Sequence, residues 1–423
     1  MLIRSTFIYG LAVVLPRIAA FVLMLALTRL LSPAEFGFYA LTILIGETAD
    51  MIGADWIRLA LLRLDSHSQS LRPALRQSAR LTVVTALAAT FLAAIAARYL
   101  APERLTEFVI AVAAYVLANS YARLGLTALR MQQQSTRYAV VECLRSVATL
   151  AAGVGTALLV SRSFVANSLA TSSITMLFAL VSFKMATGDP ASEYAQITAT
   201  VRERLQFGVP IIALSIAGYA ISGADRVFLK FLTDPSTLGI YSAAYAIGRQ
   251  PIDIVANAVN LGGFPELVRR YDLNGPLYAS RFLGEKLAFM LLLTLPICIF
   301  LALFTSPLLA LLLPPAYREI GCSVLPYVTA GAVLLSLKHF VFDNVFLLLK
   351  RNWLQAYTYF PAVLAGFVAN PLLIRAHGAS GAAMSFCLAG AVGLTTSYIV
   401  SSRLLRPSLD LSRLMTNFLA RTS

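Results

Sequence analysis

Apolar runs of roughly 20 residues or more recur from one end of this chain to the other, separated by polar stretches of roughly 5 to 20 residues. Charged residues make up 13% of the chain and hydrophobic ones 58%, where a soluble domain carries about 25% charged residues. The solvent is therefore a bilayer. There each backbone group must be satisfied within its own segment, so each run is read as a transmembrane helix. About twelve such spans are expected, near Phe7–Leu27, Gly37–Leu62, Ala79–Tyr99, Phe108–Leu129, Tyr138–Val160, Phe164–Met185, Leu205–Leu232, Gly239–Phe264, Leu287–Leu313, Cys322–Leu349, Trp353–Ile374 and Gly378–Ser402. The first is too long for a signal-peptide core and is read as a retained helix, interrupted by Pro16 and Arg17.

The stretch Leu30–Tyr39 returns as Leu232–Tyr241, matching Pro33 with Pro235, Gly37 with Gly239 and Tyr39 with Tyr241, each pair close to half the chain apart. Each copy lies between two apolar runs and is expected to be a turn, with proline barring continuation of the first helix and glycine freeing the backbone where the second begins. A repeat of hydrophobic spans marks a transporter architecture. The fold class is thus all-α and polytopic, with a six-helix lobe at 1–185, an inter-lobe linker at 186–204, a second six-helix lobe at 205–402 and a tail at 403–423. Six spans per half make the repeats parallel, related by a pseudo-twofold along the membrane normal, with substrate between the lobes.

Basic residues divide unevenly between the two faces. The side holding both termini collects about 20 and the other about 7, which puts both termini in the cytoplasm. A basic loop containing Arg269, Arg270, Arg281 and Lys286 follows the eighth span. The net charge of +14 belongs to such loops and their attraction to anionic lipid headgroups, not to nucleic acid. Cys143, Cys298, Cys322 and Cys387, and likewise His67, His339 and His377, are scattered, with no metal-ligand spacing. No phosphate-binding glycine loop occurs, so ATP hydrolysis and bound cofactors are not expected. No extramembrane segment is long enough for a catalytic domain.

Ionisable residues inside a membrane are costly and usually functional. The bases within the spans are Arg17, Arg58, Arg123, Arg145, Arg226, Arg249 and Lys338. Asp55 with Arg58, Glu142 with Arg145, and Arg249 with Asp253 are spaced to pair along one helix face. Arg17 has no acid in such reach. Asp225 and Arg226 are adjacent, point apart and need partners on other helices. Glu47 and Asp50 share a face of the second span, where like charges in low dielectric cannot both ionise cheaply, so one is a candidate proton carrier. Asp343 with His339 is a candidate of the same kind.

Three stretches carry a family resemblance: Leu30–Tyr39; Asp225-Arg226 through Gly239-Ile240-Tyr241-Ser242-Ala243-Ala244-Tyr245; and Gly378-Ala379-Ser380-Gly381-Ala382-Ala383. On them the chain resembles the polysaccharide (Wzx-type) flippase branch of the multidrug/oligosaccharidyl-lipid/polysaccharide exporter superfamily, with His377 where that branch commonly has an aromatic residue. The resemblance implies a bacterial inner-membrane protein that moves undecaprenyl-pyrophosphate-linked oligosaccharide to the periplasmic leaflet by alternating access, coupled to an ion. Its implied partners are lipid-linked oligosaccharide, membrane lipids, a polysaccharide polymerase and glycosyltransferases, and a monomer is expected because two lobes complete a cleft. Arg17, Arg226, Asp225, Arg58 and Arg249 are the substrate-binding candidates, since guanidinium forks suit pyrophosphate. Glu47, Asp50 and Asp343 are the ion-coupling candidates. A multidrug or organic-cation antiporter of the same superfamily and a membrane-embedded glycosyltransferase or polymerase remain alternatives.

Overall fold

The computed structural model describes residues 2–65, 71–187, 199–351 and 353–408, with side chains described from residue 14 onward except at 71 and 209–211. His67, most of the 186–204 linker and the end of the 403–423 tail lie outside the described residues. Among the described residues there is no strand, and twelve helical rods follow one another: Leu2–Leu30, 33–64, Leu71–Leu100, Leu105–Met131, Ser135–Leu159, Phe164–Thr187, Val201–Leu232, Pro235–Asn274, Pro276–Leu303, 318–348, Leu354–His377 and Ala379–Ser402. A short helix, Thr305–Leu312, precedes the tenth. Among the described residues, nine helices have the length and composition to cross a membrane; the first, second and eighth rods complete the twelve. The expected all-helical, twelve-span layout is the one observed.

Two rods are not plain α-helices. The second contains a π segment at Met51–Asp55 and the tenth another at Lys338–Phe342. Each adds one residue to a turn, and such bulges gather at functional sites.

The duplicated turn forms as expected, with a different part for its glycines. Ser32 precedes Pro33, and its Oγ accepts from the Glu35 N–H at 3.3 Å. In the second copy Asp234 precedes Pro235, and its carboxylate accepts from the N–H groups of Ser236 and Thr237 at 2.8 and 3.1 Å and from the Thr237 hydroxyl at 2.6 Å. Both are N-caps with proline in the first helical turn, where its missing N–H costs nothing. Partial burial works against the Asp234 charge, but the hydrogen bonds from Thr237 and Ser236 outweigh it and hold this carboxyl below its usual range. Gly37 and Gly239 do not loosen the backbone; both lie inside helices. A Cβ on Gly37 would overlap the Pro235 carbonyl oxygen, and a Cβ on Gly239 would overlap that of Pro33. The two copies of the turn therefore lie against each other reciprocally, and glycine is required for contact. A conformational need for glycine appears instead at Gly275 (φ 83) and Gly378 (φ 60).

Gly275 corrects the expected basic loop. The eighth rod continues to Asn274 and the ninth starts at Pro276, so Arg269 and Arg270 lie on one helix and Arg281 and Lys286 on the next, with Gly275 alone as the joint. A single positive-φ residue followed by proline reverses the chain, leaving no loop to build.

The contacts divide into two compact units. One comprises Met1–Tyr219 with Thr233–Ser242, the other Ala220–Leu232 with Ala243–Ser423. In the first unit a core forms around Leu61, Leu75, Leu124, Leu129 and Tyr138. The second unit's core includes Ile252, Leu283, Met290, Val341 and Val345. Leu87, Phe91, Leu92 and Ile95 face outward from the third rod, as a helix bathed in lipid requires. The four cysteines are free and half-buried, and Cys298 packs against the second unit's core.

Candidate functional site

In the first unit the charged groups assemble around Asp50, which has no exposed surface. In an unbroken α-helix residues seven apart share a face and residues eight apart do not. The extra residue of the π segment at Met51–Asp55 brings Arg58 back beneath Asp50. Its guanidinium then donates two parallel bonds to that carboxylate, at 3.0 and 3.1 Å, and a third at 2.7 Å to Asp55. From the fourth rod Arg123 donates to the second Asp50 oxygen at 3.0 Å and the Ser120 hydroxyl donates to the first. Glu47, one turn before Asp50, lies 3.8 Å from Arg123 and accepts from the Tyr219 hydroxyl at 3.2 Å. Glu47 and Arg123 keep about two-fifths of their side chains exposed, at 41% and 44%. Three acids thus face two arginines at the partly open end of a buried ion pair.

In the second unit Tyr245 is the organiser. The Arg226 guanidinium stacks 4.2 Å from the centre of its ring and donates to the Ser222 carbonyl at 2.7 Å. The Tyr245 hydroxyl donates to that same carbonyl at 3.0 Å and accepts from Arg249. Arg249 also donates to Asp253 at 2.9 Å, and Asp225 lies 3.8 Å from Arg226. Two half-buried guanidinium groups are therefore set on one aromatic ring, each keeping some exposed surface. Phe386 packs edge-on against the ring at 5.2 Å and fixes it.

A third cluster sits on the π segment of the tenth rod. Lys338 and Asp343 are five apart, one more than the α-helical spacing, and the extra residue again closes the register, with Nζ 2.7 Å from the carboxylate. The Ser397 hydroxyl donates to the other Asp343 oxygen at 2.6 Å, and His339 Nδ1 lies 3.4 Å from the first. The Tyr359 ring covers the Lys338 ammonium at 3.8 Å, and its hydroxyl lies 3.3 Å from His339.

Of the candidates read from the sequence, Glu47, Asp50 and Arg58 come together, as do Asp225, Arg226 and Arg249, while Asp343 belongs to the third cluster. Arg17 stands apart, half-buried on the first rod, with no hydrogen bond or ion pair among the described residues. Glu142 and Arg145 pair at 2.6 Å along one helix face. Sequence spacing did not reveal Asp50–Arg58 or Lys338–Asp343, because the π segments change the register. It also missed Asp65, which pairs with Arg204 at 2.6 Å with both buried. Among the described residues no group of three or more His, Cys, Asp or Glu could hold a metal ion.

Residues 26–321 match the family described as polysaccharide biosynthesis protein. The chain belongs to that family. No curated protein matches it in sequence. Among solved structures, the lipid II flippase MurJ in an inward closed conformation is similar with a TM-score of 0.74 at 13% identity, over 98% of this chain and 91% of that one. The MATE multidrug transporter DinF-BH is similar with a TM-score of 0.65 at 14% identity, over 94% and 95%. A MOP superfamily transporter from Pyrococcus furiosus is similar with a TM-score of 0.58 at 13% identity, over 95% and 92%. At such identities these likenesses establish a shared fold, the MurJ/MATE architecture.

Proposed function

We propose that this protein is a flippase for undecaprenyl-pyrophosphate-linked oligosaccharide, moving it from the cytoplasmic to the periplasmic leaflet of a bacterial inner membrane during O-antigen, capsule or exopolysaccharide synthesis. The observation that carries the proposal is the Arg226–Tyr245–Arg249 arrangement, in which two guanidinium groups are gathered on one ring inside a membrane protein. A pyrophosphate accepts paired hydrogen bonds, and arginine stays charged when partly desolvated. Arg17, with no hydrogen bond or ion pair among the described residues, is a further candidate donor, and Arg58 and Asp225 are the sequence's other substrate-binding candidates. Membership of the polysaccharide biosynthesis family and the fold shared with a lipid II flippase support the same substrate class.

The sugar and pyrophosphate cross the hydrocarbon along charged and polar groups by alternating access, while the polyprenyl tail stays in lipid. The linker at 186–204, the tail at 403–423 and both termini are cytoplasmic, and the chain works as a monomer beside glycosyltransferases and a polymerase. It carries out no covalent chemistry. Coupling to an ion runs through Glu47, Asp50 and Asp343, a role for which the excess of acid around Asp50 is the support. A cell lacking the protein should accumulate lipid-linked oligosaccharide on the cytoplasmic leaflet with synthesis intact. Loss of the oligosaccharide itself would favour an enzyme, and unchanged surface glycan with lost resistance to organic cations would favour the multidrug antiporter.

A further inference from the structure

Among the described residues, every buried base but one has a carboxylate within ion-pair reach. Arg58 has Asp50, Arg204 has Asp65 and Lys338 has Asp343. Lys286 is the exception. It lies inside the ninth rod, 3% exposed, and its ammonium donates at 2.8 Å to the side-chain oxygen of Asn260 on the eighth rod. Its stem occupies the space left by the missing side chain of Gly263, where a Cβ would come within 3.1 Å of Cε.

The buried and half-buried acids of the eighth, ninth and tenth rods are engaged elsewhere, and Asp272 and Glu319 are exposed. On the eighth rod Asp253 holds Arg249, and Glu266 holds Arg269 and Arg270. On its own rod Glu285 lies 3.5 Å from Arg270. On the tenth rod Asp343 is occupied by Lys338, His339 and Ser397. A buried ammonium facing a single neutral oxygen is missing most of its hydration, and nothing of opposite charge makes up for the loss. Lysine, unlike arginine, can shed that penalty by giving up its proton.

The proton state has a route outward. Asn260 Oδ1 accepts not only from Lys286 but also from Asn344 Nδ2 at 2.7 Å, and the same Asn344 group donates to the Phe340 carbonyl at 2.8 Å, inside the π segment of the tenth rod. Two donors on one oxygen fix the Asn260 amide. When Lys286 becomes an amine it gains a lone pair and can accept a hydrogen bond, so the amide's preferred orientation changes, and with it the support of Asn344 for the π segment that carries Lys338 and Asp343.

We propose that Lys286 is a proton-exchange site of the second unit, taking a proton from water and returning it, and that Asn260 and Asn344 pass its charge state to the π segment holding Asp343. The inference rests on the flippase proposal only where it assigns that proton to substrate transport; the site itself stands on the geometry.

The chain has five lysines, Lys184, Lys230, Lys286, Lys338 and Lys350, few enough for lysine-selective isotope labelling of the full-length protein in detergent. As pH is raised, the signal removed by Lys286→Met should move from an ammonium to an amine position over a range in which the signals of exposed lysines stay unchanged. The Asn260→Leu variant should displace that transition. A Lys286 signal that stays an ammonium throughout would overturn the proposal. In vesicles with an imposed pH gradient, wild type should flip undecaprenyl-pyrophosphate-linked oligosaccharide faster, and Lys286→Met, inserted at the same level, should flip it at a rate indifferent to the gradient. A gradient response equal to wild type would remove the coupling role. If wild type does not flip this probe while the Lys286 signal titrates, the flippase proposal fails and the proton site stands.

Discussion

The two π segments solve one problem with different bases. On the second rod a buried aspartate is held by arginine in a two-pronged bond, with Arg123 and Ser120 adding to it. On the tenth, a buried aspartate is held by lysine at one point, with a serine, a histidine and a tyrosine ring around them. Arginine cannot lose its charge in a protein, whereas lysine and histidine can. The Asp50 cluster is therefore fixed in charge on its basic side, and the Asp343 cluster can change its proton content. An assembly of the first kind can change its proton content only through its acids, whereas the second can change it through lysine and histidine as well.

The contrast is broken most severely by Asp50→Ala. It leaves Arg58 buried with only the partly exposed Asp55, and should cost about 3–5 kcal/mol of stability, measured by unfolding in detergent. Asp343→Ala should cost less, about 1–3 kcal/mol, because Lys338 can respond by releasing its proton. Equal losses would mean that the lysine keeps its charge as firmly as the arginine does. Arg58→Lys, which keeps charge but loses the fork, should cost about 1–2 kcal/mol and leave one Asp50 oxygen with a single donor, Ser120 or Arg123. The smallest effect is expected from Tyr359→Phe, about 0.5–1 kcal/mol in the same assay, since the ring over Lys338 remains and only the hydroxyl contact with His339 is lost.

The helical plan was legible because lipid allows few alternatives: run length gave the spans, and the matches of Pro33 with Pro235, Gly37 with Gly239 and Tyr39 with Tyr241 gave the duplicated turn. Pairs at α-helical spacing, Asp55 with Arg58, Glu142 with Arg145 and Arg249 with Asp253, were legible for the same local reason. What spacing could not show depends on register or on tertiary neighbours. Asp50–Arg58 and Lys338–Asp343 are out of step with an α-helix until a π turn is inserted, and no local residue marks where that happens. Tyr245 lay in a stretch that carries the family resemblance, but spacing gave no sign that it holds two arginines, and the Ser120 and Ser397 hydroxyls come from rods distant in sequence. Gly37 and Gly239 were singled out correctly but for another reason, since a close approach between helices leaves the same residue as a flexible turn.

The proposal that Arg17 and Arg226 bind pyrophosphate is tested most directly by the flipping of an undecaprenyl-pyrophosphate-linked oligosaccharide, per molecule of inserted protein, in variants of each. Replacement of either by lysine should lower flipping at normal protein levels, because charge is kept and paired donation is lost, and replacement by alanine should lower it further. Flipping at the wild-type rate by both Arg17→Ala and Arg226→Ala would contradict the claim.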